Sequence, residues 1–374
     1  MISFLAGVRV LDMGQFLPGP YCAQILSDMG ADVVKLEPPG GDPMREFGPL
    51  GIDGLSLFYK GINAGKKVIS LDLKSPDGKT AFTALIKRTD VLIESFRPGA
   101  LERLGFAHDH IKILNPRLIH CALSGFGQSG PYRKRAGHDI NYMAMAGGLA
   151  ASGTTDKPVF AAPPVADFAS GSQAASAVLA ALFGRERGST GCYLDMSIAE
   201  SVLAWQGMNL TACNTENHRP ERARNLLNGG AACYQIYRTR DGRFVSLGAI
   251  EPKFWANFCQ TLARPDWIAR QAENLPQTAL IDEVAAAIAQ QDLSHWQERL
   301  DPVDCCFHTV VEIAEIAEHP QIRARGMLAS DPEAPGVVQA LYPAWLDGSP
   351  PEQRRPVKTA SCEEVLAAWH SDEA

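Results

Sequence analysis

Short apolar runs alternate with amphipathic stretches through the first half of the chain. Val8–Met13 is a compact apolar run, and Tyr21–Met29 carries a helical spacing that Gly30 closes. Ala31–Leu36 reads as a second strand, stopped by Pro38 and Pro39, and Lys67–Leu73 as a third. Ser75 and Pro76 then open a helix running to about Arg88, because serine caps the free N–H groups of a first turn and proline fits within it. Asp90–Phe96 and Leu118–Ser124 are two further strands. This alternation predicts βαβ units: an α/β fold with a mostly parallel, Rossmann-like sheet. Ligands of such sheets sit at the carboxyl ends of the strands.

The pattern changes further along. Phe168–Phe183 is an alanine-rich helix whose small residues suit close packing. Gly191–Met196 reads as a strand and Ser197–Ala212 as a helix. Asn214–Asn228 is polar, contains Pro220 and reads as a linker. Cys233–Tyr237 and Phe244–Leu247 form a hairpin through Arg240-Asp241-Gly242-Arg243, and helices are expected from Pro252, Leu280, Ser294 and Val310. A chain of 374 residues is long for one core. We expect residues 1–216 to begin a large domain and 217–310 to form a smaller α+β domain. Residues 311–374 would return to complete the large one, with the Pro-rich stretch beyond Gly336 as extended chain.

Composition narrows the function classes. With 46% hydrophobic and 21% charged residues, the chain has the balance of a soluble globular protein. A formal net charge of −7 argues against a general nucleic-acid binder, which needs a basic face. No apolar run approaches the roughly 18 residues that span a bilayer, so no membrane partner is expected. The first residues lack the pattern of a signal peptide, and Ser371–Ala374 is not a peroxisomal address. Nine cysteines are scattered without framework spacing, which reads as reduced thiols in a cytoplasmic protein.

Gly125-Phe126-Gly127-Gln128-Ser129-Gly130 matches G-x-G-x-x-G, but Pro131 and Arg133-Lys134-Arg135 follow where a dinucleotide site needs a helix. It reads as a glycine loop. Metal-ligand spacing, a phosphate loop and a nucleophile elbow are all missing from the sequence. What remains is one imidazole and two carboxylates at turns beside apolar elements. His138, in Gly137-His138-Asp139-Ile140-Asn141-Tyr142, is either a capping histidine or a general base. Asp167, before the Phe168 helix, is either an N-cap or an acid/base group beside a helix N-terminus that can hold an anion. Glu251, before Pro252, is either a cap or a carboxylate that orients the imidazole, a role Asp139 also suits. Among the basic residues Lys66, Lys67, Lys74, Arg97, Arg103, Arg133, Lys134 and Arg135, most read as solvated charges. Arg97 is the exception, because it sits in a turn after a strand, where phosphate-bearing ligands bind.

Motifs along nearly the whole chain resemble the family III coenzyme A transferases (CaiB/BaiF), the group that includes α-methylacyl-CoA racemase. They are Gly7–Asp12, Gly30–Lys35, Leu71–Ser75, Phe96–Gly99, Gly127–Pro131, His319–Gln321 and Arg325–Met327. Asp167 matches the aspartate on which the transferases form an acyl anhydride and then a thioester. The Gly137–Tyr142 motif, with histidine where the transferases carry tyrosine, resembles the racemases most closely. So do Asn228–Ala231 and Gly248–Pro252, which include Glu251. The resemblance implies an interlaced homodimer whose active site joins the large domain of one copy to the small domain of the other, with Glu251 meeting His138 there. It also implies that coenzyme A is held by Leu71, Asp72, Leu73, Lys74, Ser95, Phe96, Arg97, Arg103, Gly137, Asp139, Ile140, Asn141 and Tyr142. Racemases of the family often carry an arginine at the position of Pro38; Arg45 is the nearby candidate to replace it.

The expected activity is therefore epimerisation of a 2-methylacyl-CoA in lipid metabolism. His138 and Asp167 would work on opposite faces of the α-carbon, and N–H groups at the Phe168 helix would meet the enolate. No metal or redox cofactor is expected, coenzyme A being part of the substrate. CoA transfer through Asp167, or acyl-CoA binding without catalysis, are the alternatives.

Overall fold

The computed structural model describes residues 3–215, 220–331 and 336–371. Part of the expected Asn214–Asn228 linker and both chain ends therefore lie outside the described residues. The chain forms two compact units: residues Met1–Ala146, Ala162–Ala204 and Ala317–Ala374 make the first, and Gly147–Ala161 with Trp205–Ile316 the second. The boundaries expected at 216/217 and 310/311 fall instead at 204/205 and 316/317. The second unit also takes in Gly147–Ala161, a segment with no apolar period to mark it.

In the first unit the order is β1 (Arg9–Met13), α1 (Pro18–Asp28), β2 (Asp32–Glu37), α2 (Leu57–Asn63), β3 (Lys67–Ser70), α3 (Pro76–Ile86), β4 (Val91–Glu94) and α4 (Ala100–Arg103). There follow α5 (His108–Leu114), β5 (Ile119–Ser124), α6 (Asp139–Met145), α7 (Val165–Glu186), β6 (Cys192–Ser197) and α8 (Ile198–Trp205). Residues in β1, β4 and β5 are buried almost throughout. That is why these strands read as unbroken apolar runs: a parallel sheet covered on both faces has no solvent side to alternate with. The second unit holds α9 (Gly207–Cys213), the antiparallel strands β7 (Tyr234–Arg238) and β8 (Phe244–Gly248), and α10 (Pro252–Thr261), α11 (Thr278–Ile288), α12 (Leu293–Leu300) and β9 (Phe307–Thr309). Its own core gathers Trp255, Phe258, Trp267, Leu280, Val284, Ile288 and Trp296.

The chain then returns to the first unit through α13 (Pro320–Arg325), β10 (Leu328–Ser330), β11 (Val338–Ala340), β12 (Lys358–Thr359) and α14 (Cys362–Ser371). β12 pairs in parallel with β3. Val365 and Trp369 of α14 enter the core with Leu11, Val34, Phe82 and Leu92. The resulting seven-stranded parallel sheet has the order β12-β3-β2-β1-β4-β5-β6. From β1 the chain moves outward to β2 and β3, then crosses back to β4, so the direction of winding reverses between β1 and β4. A crevice opens where neighbouring connections leave to opposite sides.

Several expected boundaries move, each for a local reason. α1 starts at Pro18 rather than Tyr21, because proline fits the first turn of a helix. β3 ends at Ser70, where the chain turns and Ser75 caps α3 by accepting the Gly78 N–H at 3.0 Å. The single helix expected over Ser197–Ala212 breaks at Gln206 into α8 and α9. The helix expected from Val310 is instead a 3-10 turn at Ile313–Glu318, followed by α13.

Beneath the loop after β1 lie charges with almost no access to water. Lys66 pairs with Asp12 at 2.9 Å and Lys35 with Asp42 at 2.9 Å. Lys66 also donates to the carbonyl of Pro20 and to Asn63 Oδ1, and Lys35 donates to the carbonyl of Gly14. A buried pair broken on one side leaves an uncompensated charge. Lys66→Met should therefore destabilise the chain by about 3–5 kcal/mol in urea denaturation, and Asp12→Leu in the same chain should recover part of that loss.

Candidate active site

The crevice at the reversal is a cleft of about 630 Å³ in the first unit. Each wall is the carboxyl end of a strand: Gln15, Phe16 and Pro18 follow β1, Ser95–Pro98 follow β4, Leu123–Phe126 end β5, and Ile198 follows β6. Ala100 and Arg103 of α4, Arg133 and Arg135–His138 of the loop before α6, Tyr142 and Asp167 close it. A second, smaller cleft of about 130 Å³ shares Gln15 and Phe96 with the first and is lined by Leu71, Asp72, Leu73 and Lys74. The Asp72 side chain accepts the Lys74 N–H at 3.0 Å and so shapes that turn.

His138 stands at the N-cap position of α6, the place the capping reading gave it. Its backbone N–H donates to Asn141 Oδ1 at 3.0 Å. The side chain is exposed at the cleft. The loop that carries it is fixed by Tyr142, whose hydroxyl donates to the carbonyl of Gly137 at 2.7 Å. A Cβ at Gly125 or Gly137 would lie 2.6 or 2.8 Å from the Tyr142 ring, so both positions need glycine for the ring to fit.

Asp167 is not the N-cap that its position suggested. α7 begins two residues earlier, at Val165, so the carboxyl belongs to the first turn and makes no cap. Its backbone N–H donates to Asp139 Oδ1 at 3.1 Å, and the Phe168 N–H donates to the carbonyl of Pro164. The N–H groups expected to meet an oxyanion at Phe168 are thus already used. The open N–H groups nearest His138 are those of Asp139 and Ile140, which start α6 and lack intrahelical partners. Burial pushes the Asp167 carboxyl up to about 7, and the nearby Asp139 carboxylate pushes the same way.

The cleft therefore brings together His138, Asp167, Ser95, Phe96, Arg97, Arg103, Gly137 and Tyr142. Asp139, Ile140 and Asn141 do not line it: Asn141 braces the His138 backbone, Asp139 accepts the Asp167 N–H at the start of α7, and Ile140 is 40% exposed. Glu251 lies in the second unit, where it precedes α10; its side chain makes no cap bond. Arg45 is committed elsewhere. It donates to Glu37 at 2.6 Å and to the Tyr59 hydroxyl at 2.9 Å, and it lines neither cleft. The cations that do face the large cleft include Arg133 and Arg135, which read as surface charge in the sequence. With Arg97 and Arg103 they make four guanidinium groups without a carboxylate partner among the described residues. Phe16 was also missed. The signal for all three was topological: they sit in loops at the carboxyl edge of a parallel sheet.

Comparisons with known proteins give the family of the chain. The profile of CoA-transferase family III matches residues 5–357. The human α-methylacyl-CoA racemase is 34% identical over 337 residues, covering 88% of this chain and 83% of that one. The succinyl-CoA–D-citramalate CoA-transferase of Chloroflexus aurantiacus is 35% identical over 329 residues, covering 86% and 82%. The crystal structure of a CAIB/BAIF family protein from Brucella suis superposes with a TM-score of 0.83 at 27% identity, covering 99% of each chain.

The raised carboxyl has a measurable consequence. A group whose folded value of about 7 exceeds its ordinary 3.8 contributes stability that is full below about pH 4 and lost as pH rises through 7. Asp167→Asn escapes that loss. It should gain about 1–2 kcal/mol on the wild type between about pH 4 and about pH 8, after allowing for the partial exposure of the group; thermal or urea unfolding at the two pH values checks this.

Proposed function

The chain belongs to CoA-transferase family III, an enzyme family, and from that premise we propose that it inverts the α-carbon of 2-methylacyl-CoA thioesters. The observation that carries this reading is the placement of His138 and Asp167 in one cleft, with the carboxyl poised near neutrality. An α-proton beside a thioester is a weak acid, so its removal needs a base and a partner for the enolate. Neutral His138 takes the proton from one face. The electron pair moves onto the thioester oxygen, where the N–H groups that open α6, next to His138, would offset the charge. Protonated Asp167 then gives its proton to the opposite face and is left as a carboxylate, with His138 as imidazolium. The reverse reaction starts from that second state. A carboxyl near 7 can begin in either form at neutral pH, which a bidirectional reaction requires.

Arg97, Arg103, Arg133 and Arg135 give the cleft the charge to hold the phosphates of coenzyme A. Leu71–Lys74 form the apolar-sided cleft beside it. The reading also takes the protein to act as a homodimer in the cytoplasm, with Glu251 as the carboxylate that supports the imidazole. Proton transfer through an enolate uses acid, base and N–H donors alone.

CoA transfer is the second reading, favoured by the Chloroflexus aurantiacus relative at an identity similar to that of the racemase. There Asp167 would attack the thioester carbonyl as a carboxylate, which its raised value makes less available at neutral pH.

In deuterated water the wild type should place deuterium at the α-carbon of a 2-methylacyl-CoA. His138→Ala and Asp167→Ala should each lower that exchange by about 10²-fold or more, followed by NMR or mass spectrometry. CoA passing to a free carboxylic acid without exchange, abolished by Asp167→Ala and only dented by His138→Ala, would establish the transferase instead. Arg97→Gln should raise KM for the acyl-CoA about tenfold while kcat changes by less than about threefold, as expected for a contact made equally in ground and transition states.

A further inference from the structure

Phe16 stands in the loop after β1 with a φ of +58°, a conformation that bulky L side chains adopt only at a cost. The surroundings hold it there. Three successive backbone N–H groups are taken by side chains: Gly14 by Asp12 Oδ1 at 2.8 Å, Gln15 by Ser95 Oγ at 2.8 Å, and Phe16 by Asp42 Oδ1 at 3.4 Å. Asp12 and Asp42 are themselves locked by the buried ammonium groups of Lys66 and Lys35. Lys35 also holds the carbonyl of Gly14 at 2.7 Å. The loop is thus bound from beneath at every residue from Gly14 to Phe16.

The side chain so placed meets the imidazole of His138 edge-on, with ring centroids 6.4 Å apart and planes at 88°. The backbone of His138 is braced by Asn141 Oδ1, while its side chain stands exposed at the cleft. We infer that Phe16 is a positioning residue for His138, its ring limiting the imidazole to orientations that face the cleft. The inference rests on His138 being the proton-transfer group. A base that must meet one carbon repeatedly gains from such a limit, since small misplacements cost rate steeply.

Phe16→Gly is the informative variant, because glycine accepts the positive φ without strain and the chain should fold at least as stably as the wild type. Its α-deuterium exchange should fall about tenfold in kcat while KM for the acyl-CoA stays within about threefold, a split that marks lost positioning rather than lost binding. Phe16→Tyr, which keeps the ring edge, should stay near the wild type. In a His138→Ala background Phe16→Gly should cost nothing further, because the group it positions is gone. The imidazole resonances of His138, assigned by their loss in His138→Ala, should shift in Phe16→Gly. Unchanged kcat and unchanged resonances in Phe16→Gly would overturn the inference, as would an equal loss with and without His138. A wild type that transfers CoA without exchange would instead remove the reading of His138 on which the inference stands, whether or not the resonances shift.

Discussion

The site depends on four charges sealed under the first loop. Asp12, Lys35, Asp42 and Lys66 have lost nearly all contact with water, which costs free energy that each ion pair must offset. Their arrangement adds what an apolar core cannot supply. Both backbone groups of Gly14 and the N–H of Phe16 end on these side chains, so the pairs fix the path of the loop as well as their own geometry. Direction is the point: hydrophobic burial is indifferent to a rotation of a few degrees, whereas a charge-assisted hydrogen bond is not. The wall of the cleft beside β1 takes its shape from this layer, and the strained residue at its tip can persist because the layer over-determines it.

A second constraint acts on the other wall. Tyr142 is wedged against Gly125 and Gly137, two glycines from different sides of the loop between β5 and α6. One aromatic ring thus ties the end of β5 to the turn that presents His138, and its hydroxyl closes the turn on itself. The raised carboxyl of Asp167 follows from the same compactness, since burial there and the nearness of Asp139 act in one direction. The relatives carry the names of two different reactions. Racemase and transferase names appear at 34% and 35% identity over similar spans. In the proposed reading, the two chemistries part on the protonation state in which the carboxyl meets the substrate and on whether a second proton carrier faces it, and both are local matters.

Much of the first unit was legible in the sequence because a parallel sheet buried on both faces writes itself as short apolar runs. β1, β2, β4 and β5 fall where those runs do. The motif around His138 and the isolated Asp167 were visible because ionisable groups beside apolar segments are few. Their detailed roles were not. Asp167 reads as a cap because aspartate before an apolar helix usually is one, and nothing in the string shows that Val165 and Ala166 already belong to the helix. Arg45 looks available until Glu37 and Tyr59 are seen to claim it, a contact between β2 and distant side chains. Arg133, Arg135 and Phe16 lie in loops without periodicity; only the strand order reveals that these loops converge.

The edge of the sheet carries an implication for the order in which the molecule assembles. β12 is the outermost strand, and it comes from residues 358 and 359. Trp369 behind it donates to Asp32, and Arg9 reaches the carbonyl of the same tryptophan. On a ribosome, the first strand must wait for nearly the whole chain before these neighbours exist. The second unit, continuous from residue 205 to 316 apart from one short segment, has its core complete well before then. Synthesis would thus leave an open sheet edge beside β3 for some 290 residues of elongation, the kind of exposed strand that invites pairing with another chain. The shortness of β3, four residues, limits that exposure.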